Sequence, residues 1–136
     1  MTREETARNN HKQGFNCAQA VALAFADKFG TDKNVLFAMT EGFGLGGGNM
    51  QGTCGALAAA YMVSGMLNSS GNTEDRTTKK KTYSANKELA KAFAELSGGM
   101  NCYDLKGVKT GKILCECNDC VGYAARVLAK YLGEEA

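Results

Sequence analysis

The segment CGALAAAYMVSGM, Cys54 to Met66, constrains the fold more than any other part of the chain. It is rich in Ala, Leu and Met, shows no polar face, and is too long for a buried strand. A helix that is apolar all round must be covered on every side, so this segment predicts the central helix of a core. No proline interrupts the 136 residues, which leaves helices free to run on either side of it. Strict alternation of polar and apolar residues is missing throughout, so the fold class is all-α. The expectation is one domain over residues 1–136: a compact bundle of about five to six helices, with a glycine-rich loop before the central helix. At 44% hydrophobic residues, a chain of this length buries a core without disulfides.

Local signals place the remaining helices. Thr2 and Glu5 fit a capping box and start a first helix that runs to about Gln13 and ends at Gly14. CAQAVALAFADKFG repeats apolar residues at helical spacing (Val21, Phe25, Phe29) and stops at Gly30. Asp32 caps a shorter helix through Val35, Phe37, Ala38 and Met39. After a turn at NSSGN, Asn72 is the expected cap of the next helix, with Glu74 and Asp75 in its first turn and Tyr83, Leu89, Phe93 and Leu96 on its inner face. Gly98 and Gly99 close it. A short helix or turn at CYDLKG and an irregular stretch to Glu116 lead to the last helix, CVGYAARVLAKYLG, with Val121, Ala124, Ala125, Leu128 and Leu132 inward.

Charge narrows the function classes. Sixteen basic and fourteen acidic side chains leave a formal charge of +2, and the basic ones cluster only at Lys79, Lys80 and Lys81. A nucleic-acid surface needs a sustained basic stripe with base readers beside it, so none is expected. No apolar stretch reaches the roughly 20 residues of a membrane span, and MTREETARNNHKQGF has no apolar core of a signal peptide. The expected location is the cytoplasm. There six cysteines stay reduced, and metal binding or redox chemistry explains them better than a disulfide framework.

Four of the six follow a residue of the preferred helix-capping class: Asn16 before Cys17, Thr53 before Cys54, Asn101 before Cys102 and Asp119 before Cys120. Each of the four then precedes a helical or helix-like segment, which puts it in a first turn. Free amides and the macrodipole there favour a thiolate, the form that attacks electrophiles and binds metals. If the four helix starts converge, they build a tetrathiolate site suited to an iron–sulfur cluster or tetrahedral zinc. The glycine loop GFGLGGGNMQGT fits the same picture. Residues without Cβ let backbone pass close to an inorganic group and aim amides at it, which makes Gly46, Gly47, Gly48 and Gly52 the expected cofactor contacts.

Other motifs fail on context. Gly42, Gly44 and Gly47 match G-x-G-x-x-G literally, but no strand precedes them and the first acid downstream of the loop is Glu74. The phosphate-loop spacing of Gly47 and Gly52 has Thr53 where a lysine belongs. Cys117 and Cys120 form a C-x-x-C whose second cysteine, by this segmentation, opens the helix; dithiol chemistry prefers the first there. His11 reads as a structural or solvated histidine, and Met50 is the one methionine placed to act as a soft ligand.

Together the segments GFNCAQAVALAF, GFGLGGGNMQGTCGALAAAYMVSG, MNCYDLKG and CVGYAARVLAKYL resemble the C_GCAxxG_C_C family of small redox-active proteins over nearly the whole chain. The four family cysteines fall on Cys17, Cys54, Cys102 and Cys120. Ala59 replaces the last glycine of the family's CGAxxG signature, and Cys115 and Cys117 lie outside the four-cysteine pattern. The family is similar to part of the split-Soret cytochromes, helical dimers carrying an iron–sulfur cluster beside haem. No C-x-x-C-H haem motif occurs here, so only the cluster idea carries over. The resemblance implies a redox or electron-transfer protein, a homodimer, and an unidentified redox partner protein. It favours a two-iron over a four-iron cluster on Cys17, Cys54, Cys102 and Cys120. Two alternatives stay open: a metal-free thiol–disulfide or persulfide protein, and a structural zinc module.

Overall fold

The computed structural model describes residues 1–135, and within them the chain is helical with no strand. Eight helical segments follow one another: α1 (Arg3–Lys12), α2 (Cys17–Ala24), α3 (Lys33–Glu41), α4 (Gly44–Gly47), α5 (Gly55–Asn68), α6 (Lys79–Ser97), α7 (Cys102–Leu105) and α8 (Cys117–Tyr131). The class is as expected; the count exceeds five to six because α4 and α7 are single turns of four residues. α4 is not a right-handed helix at all. Leu45 and Gly46 have φ of 54° and 60°, so the glycine loop folds as a left-handed turn.

α5 is the central helix. It buries Ala56, Leu57, Ala59, Ala60 and Val63 completely, and α2, α6 and α8 pack around it. Small residues line the contacts: α2 presents Ala18, Ala22 and Val21, while α8 presents Ala124, Ala125 and Val121, all fully buried. Alanine faces let the axes approach closely, so the core is built by helix proximity more than by large side chains. Phe25, Phe93, Leu36 and Leu128 fill the outer corners. α1 closes the bundle against α8 and α2.

Four helix boundaries depart from expectation. α2 ends at Ala24, well before Gly30, and a separate 3₁₀ turn over Ala26–Lys28 follows it. α6 begins at Lys79, not near Asn72, because Asn72 accepts from the Glu74 amide and Asp75 from that of Thr77. Such side-chain turns compete with a helical start. Its buried row is Ala85, Leu89, Phe93 and Ser97, spaced by four, which leaves Tyr83 and Leu96 exposed. α8 starts three residues early, at Cys117. α5 starts one residue late, with Cys54 as its N-cap.

Two hydrogen bonds join the stretch before α5 to the stretch before α7. The Cys54 amide donates to the Met100 carbonyl at 2.8 Å, and the Cys102 amide donates to the Gly52 carbonyl at 3.0 Å. They form an isolated antiparallel bridge between Thr53 and Asn101, which sets Cys54 and Cys102 side by side.

Candidate functional site

All six cysteines line one cavity of about 180 Å³ at the end of the bundle where α2, α5, α7 and α8 begin. Cys54, Cys102, Cys115 and Cys120 are buried, and Cys17 and Cys117 are half-buried; none is in a disulfide. The wall is completed by His11, Asn16, Leu45, Gly55, Leu105 and Lys106. Among the described residues, the side chains lining the cavity include no carboxylate.

Each sulfur reaches the cavity through a definable local device. Asn16 caps α2 with a full capping box to Gln19 and also donates to the Glu41 carbonyl at 3.0 Å, fixing Cys17 as the first helical residue. Asn101 accepts from the Tyr103 amide and donates to the Gln51 carbonyl at 2.9 Å, which fixes Cys102 at the start of α7 and ties it to the glycine loop. Thr53 and Asp119 are not caps: Cys54 itself stands at the N-cap of α5, and Cys120 lies at the fourth position of α8, behind the Glu116 cap. So Cys117, not Cys120, opens α8. The C-x-x-C is arranged with its first cysteine at the helix start, contrary to the sequence expectation.

The glycines act on the cysteines by shape. A Cβ on Gly55 would stand 2.5 Å from the Cys17 sulfur and 2.6 Å from the Phe43 carbonyl oxygen. One on Gly46 would stand 2.5 Å from the Cys102 Cβ and 3.2 Å from its sulfur. Gly52 donates its amide to the Gly46 carbonyl at 2.9 Å, closing the loop on itself. Gly47 and Gly48 supply left-handed turns in open space and are exposed. Of the loop, Leu45 lines the cavity, held at a φ of 54° that a branched side chain rarely adopts.

The electrostatics divide the thiols. Cys54 is lowered to about 7, first by the hydrogen bond from the Cys120 thiol and, against the cost of burial, by the Leu57 and Ala56 amides at the start of α5. Cys120 is pushed up by its interaction with Cys54, then by burial. Burial pushes Cys17 up, opposed by the Leu45 amide, and likewise raises Cys102 and Cys115. The expected lowering at helix starts is thus realised at Cys54; at Cys17 and Cys102 desolvation outweighs it.

Lys106 and His11 were not singled out by the sequence as site residues. Lys106 donates from Nζ to the Cys117 sulfur at 2.8 Å, and that bond raises its pKa. The signal was its spacing: Lys106 follows Cys102 by four and so lies on the same face of the turn. His11 is lowered by burial and then by the nearby Lys106 charge, which holds the imidazole neutral at physiological pH; its Nδ1 meets the Asn118 amide nitrogen at 3.2 Å.

Residues 15–131 match the family model described as "Putative redox-active protein (C_GCAxxG_C_C)", a span that takes in all six cysteines. The chain belongs to the C_GCAxxG_C_C family. No curated protein matches it, and no solved structure does. The family description covers redox activity, and the four family cysteines open into one and the same cavity. Met50 also has a positive φ, 62°, in the loop, but it does not line that cavity. None of the described helices is long and apolar enough to cross a membrane.

The donor set is soft, six sulfurs around a largely apolar cavity, which is the ligand type of thiolate-bound metals. A tetrahedral ion with bonds near 2.3 Å needs sulfurs about 3.8 Å apart. Among the described residues, no three His, Cys, Asp or Glu side chains are grouped closely enough to hold one ion. A cluster of several irons spreads its thiolates farther apart, two to each iron in the two-iron form. Soft sulfur donors around an apolar cavity are the chemistry such a cluster uses.

Proposed function

We propose that this protein is a redox or electron-transfer protein whose cavity takes an iron–sulfur cluster on Cys17, Cys54, Cys102 and Cys120, with the two-iron form ahead of the four-iron one. The observation that carries the reading is the convergence of these four residues, from the starts of α2, α5 and α7 and from the fourth position of α8, on one largely apolar cavity. The cluster would supply one-electron chemistry; the chain supplies the thiolates, a dry surround, and amide dipoles at the starts of α2 and α5. The Gly46 and Gly52 contacts hold the loop against Cys102, and Gly47 and Gly48 supply the left-handed turns that close it. A redox partner protein and a homodimer belong to this reading, as does a cytoplasmic location. Anaerobic purification, or reconstitution with iron and sulfide, is expected to give visible charge-transfer absorption with iron and sulfide in equal amounts. A colourless chain that takes up no iron under both conditions overturns it.

One observation favours a second reading, a metal-free dithiol. Cys54 and Cys120 line the same cavity and act on each other with opposite sign, the first thiol lowered and the second raised. That is the arrangement of a nucleophile beside its resolving thiol. Mild oxidation of the metal-free chain would then give a single Cys54–Cys120 bridge, found by peptide mass mapping, and equal alkylation of all six thiols would exclude it. A structural zinc module predicts instead that chelators unfold the chain while redox agents leave it unchanged.

A further inference from the structure

Cys117 stands apart from the four family cysteines. Its neighbour Cys120 donates to the Cys115 carbonyl, at 3.9 Å, and Cys117 is bonded to Lys106 instead, at 2.8 Å, so the C-x-x-C sequence is not a hydrogen-bonded pair. Lys106 is the ammonium on the cavity wall, and His11 beside it is held neutral. Cys117 is also half-buried, where four of the other five are buried. A reagent entering the cavity meets a sulfur that is accessible, backed by a cation, and placed at the first position of a 15-residue helix. The Lys106 contact fixes where that sulfur sits on the cavity wall, and its exposure leaves it open to an incoming electrophile.

The rest of the cavity restricts what can be attacked. Among the described residues no carboxylate lines it and its imidazole is neutral, so the acids at hand for a poor leaving group such as an amine or an alkoxide are thiols and the Lys106 ammonium, which is engaged with Cys117. Exchange at divalent sulfur needs no acid, because the leaving group departs as a thiolate. At about 180 Å³ and mostly apolar, the cavity suits a single polarisable sulfur atom better than a peptide-sized substituent.

We propose that Cys117, held by Lys106, is a nucleophile that takes the outer sulfur of a low-molecular-weight persulfide and keeps it in the cavity as a cysteine persulfide. The Cys117 sulfur forms a bond to the outer sulfur of R–S–SH as the bond between the two donor sulfurs breaks. The electron pair of the broken bond leaves with R–S⁻, the proton stays on the transferred sulfur, and no net oxidant or reductant is consumed. Five further thiols line the same cavity, so the sulfur can be passed on by repeats of the same exchange.

The exchange belongs to the chain whose cavity is free of a cluster, so its test uses the full-length chain stripped of metal, with iron content measured separately to keep its outcome apart from that of the cluster reading. Reaction with glutathione persulfide is followed by intact mass and peptide mapping. The expected result is a gain of one sulfur atom on Cys117, absent in Cys117→Ser. Lys106→Gln is expected to slow the gain about tenfold or more, and Lys106→Arg to restore most of the rate. Circular dichroism of each variant checks that it is folded. Sulfur found on another cysteine at an undiminished rate in Cys117→Ser overturns the assignment, as does a glutathione adduct in place of the single sulfur. If Lys106→Gln reacts as fast as the unaltered chain, the role of Lys106 is overturned.

Discussion

The first turn of α8 has two faces that do opposite things. Cys117 and Cys120, three residues apart, turn to the cavity, where they meet Lys106 and Cys54. Asn118 and Asp119, between them, turn to α1. There Asp119 accepts from Arg8 at 2.7 Å, and Asn118 exchanges hydrogen bonds with the Arg8 carbonyl and guanidinium. Arg8 also meets Glu4 at 2.8 Å, and Glu4 accepts from Arg126 at 2.8 Å, while both guanidiniums lie over the Tyr123 ring. On this outer face each charge has an opposite charge in contact. On the cavity face sulfurs gather around one ammonium, with burial pushing most of them away from the charged state. A network with every partner satisfied stabilises; a cluster left short of partners is the one ready to react or to ligate. Helical geometry lets both occupy a single turn, and His11 touches both, lining the cavity while meeting Asn118.

The sharpest way to separate the faces is to add one methyl group to each. Gly55→Ala puts a Cβ against the Cys17 sulfur and the fixed Phe43 carbonyl, neither of which can move cheaply. Overpacking of this kind is expected to cost about 3 kcal/mol and to alter Cys17 alkylation. Gly122→Ala meets only the flexible end of Arg8, within 2.4 Å at three atoms. The guanidinium swings away, the ion pairs weaken, and the loss is expected near 1 kcal/mol, with thiol reactivity unchanged. Thermal melts with timed alkylation of both variants check this; equal effects on reactivity would erase the division between the faces.

Glu4→Gln probes the outer face alone. It leaves Arg8 and Arg126, both partly buried, without their shared carboxylate, and about 1 to 2 kcal/mol is expected to be lost at neutral pH. The Glu4 carboxyl is held below the ordinary 4.5, first by its hydrogen bond from Arg126. A depressed folded-state value means that the stabilisation is fully present above the unfolded value and is lost as pH falls through the folded one. The unaltered chain should therefore lose stability faster than Glu4→Gln as pH falls from about 4.5. Urea midpoints across that range test it, and parallel curves would show that the carboxylate contributes nothing.

The two faces also differ in how far the sequence revealed them. The capping residues Thr2, Asn16, Asp32 and Asn101 were legible because capping is local chemistry. They led to Cys17 and Cys102, and the apolar run led to α5. Cys54 and Cys120 reach the cavity for reasons a capping pattern does not carry. The first is set by the cross-chain bridge to Met100, the second by its position one turn into a helix that begins without a side-chain cap. α6 departs from the expectation at its start and at the ends of its face: Leu89 and Phe93 are buried as expected, and Ala85 and Ser97 complete the row in place of Tyr83 and Leu96. Lys106 pairs with Cys117 through a contact between α7 and α8 that no local pattern encodes.

The smallest effect expected concerns the cavity face without disturbing the fold. In the metal-free chain, Cys120→Ala removes the thiol that donates to Cys54, so the Cys54 value should climb from about 7 toward the ordinary 9.0. The Leu57 and Ala56 amides remain and should keep it from rising the whole way. Because the folded-state value is depressed, the stabilisation that this thiolate gives is present above pH 9.0 and disappears as pH falls through about 7. Cys120→Ala should flatten the stability profile between those limits while leaving the Glu4 dependence at acid pH untouched. Thiolate absorbance against pH reads the first change and urea midpoints read the second. An unchanged Cys54 titration would show that the helix-start amides alone hold the charge, and that the two sulfurs do not act as a pair.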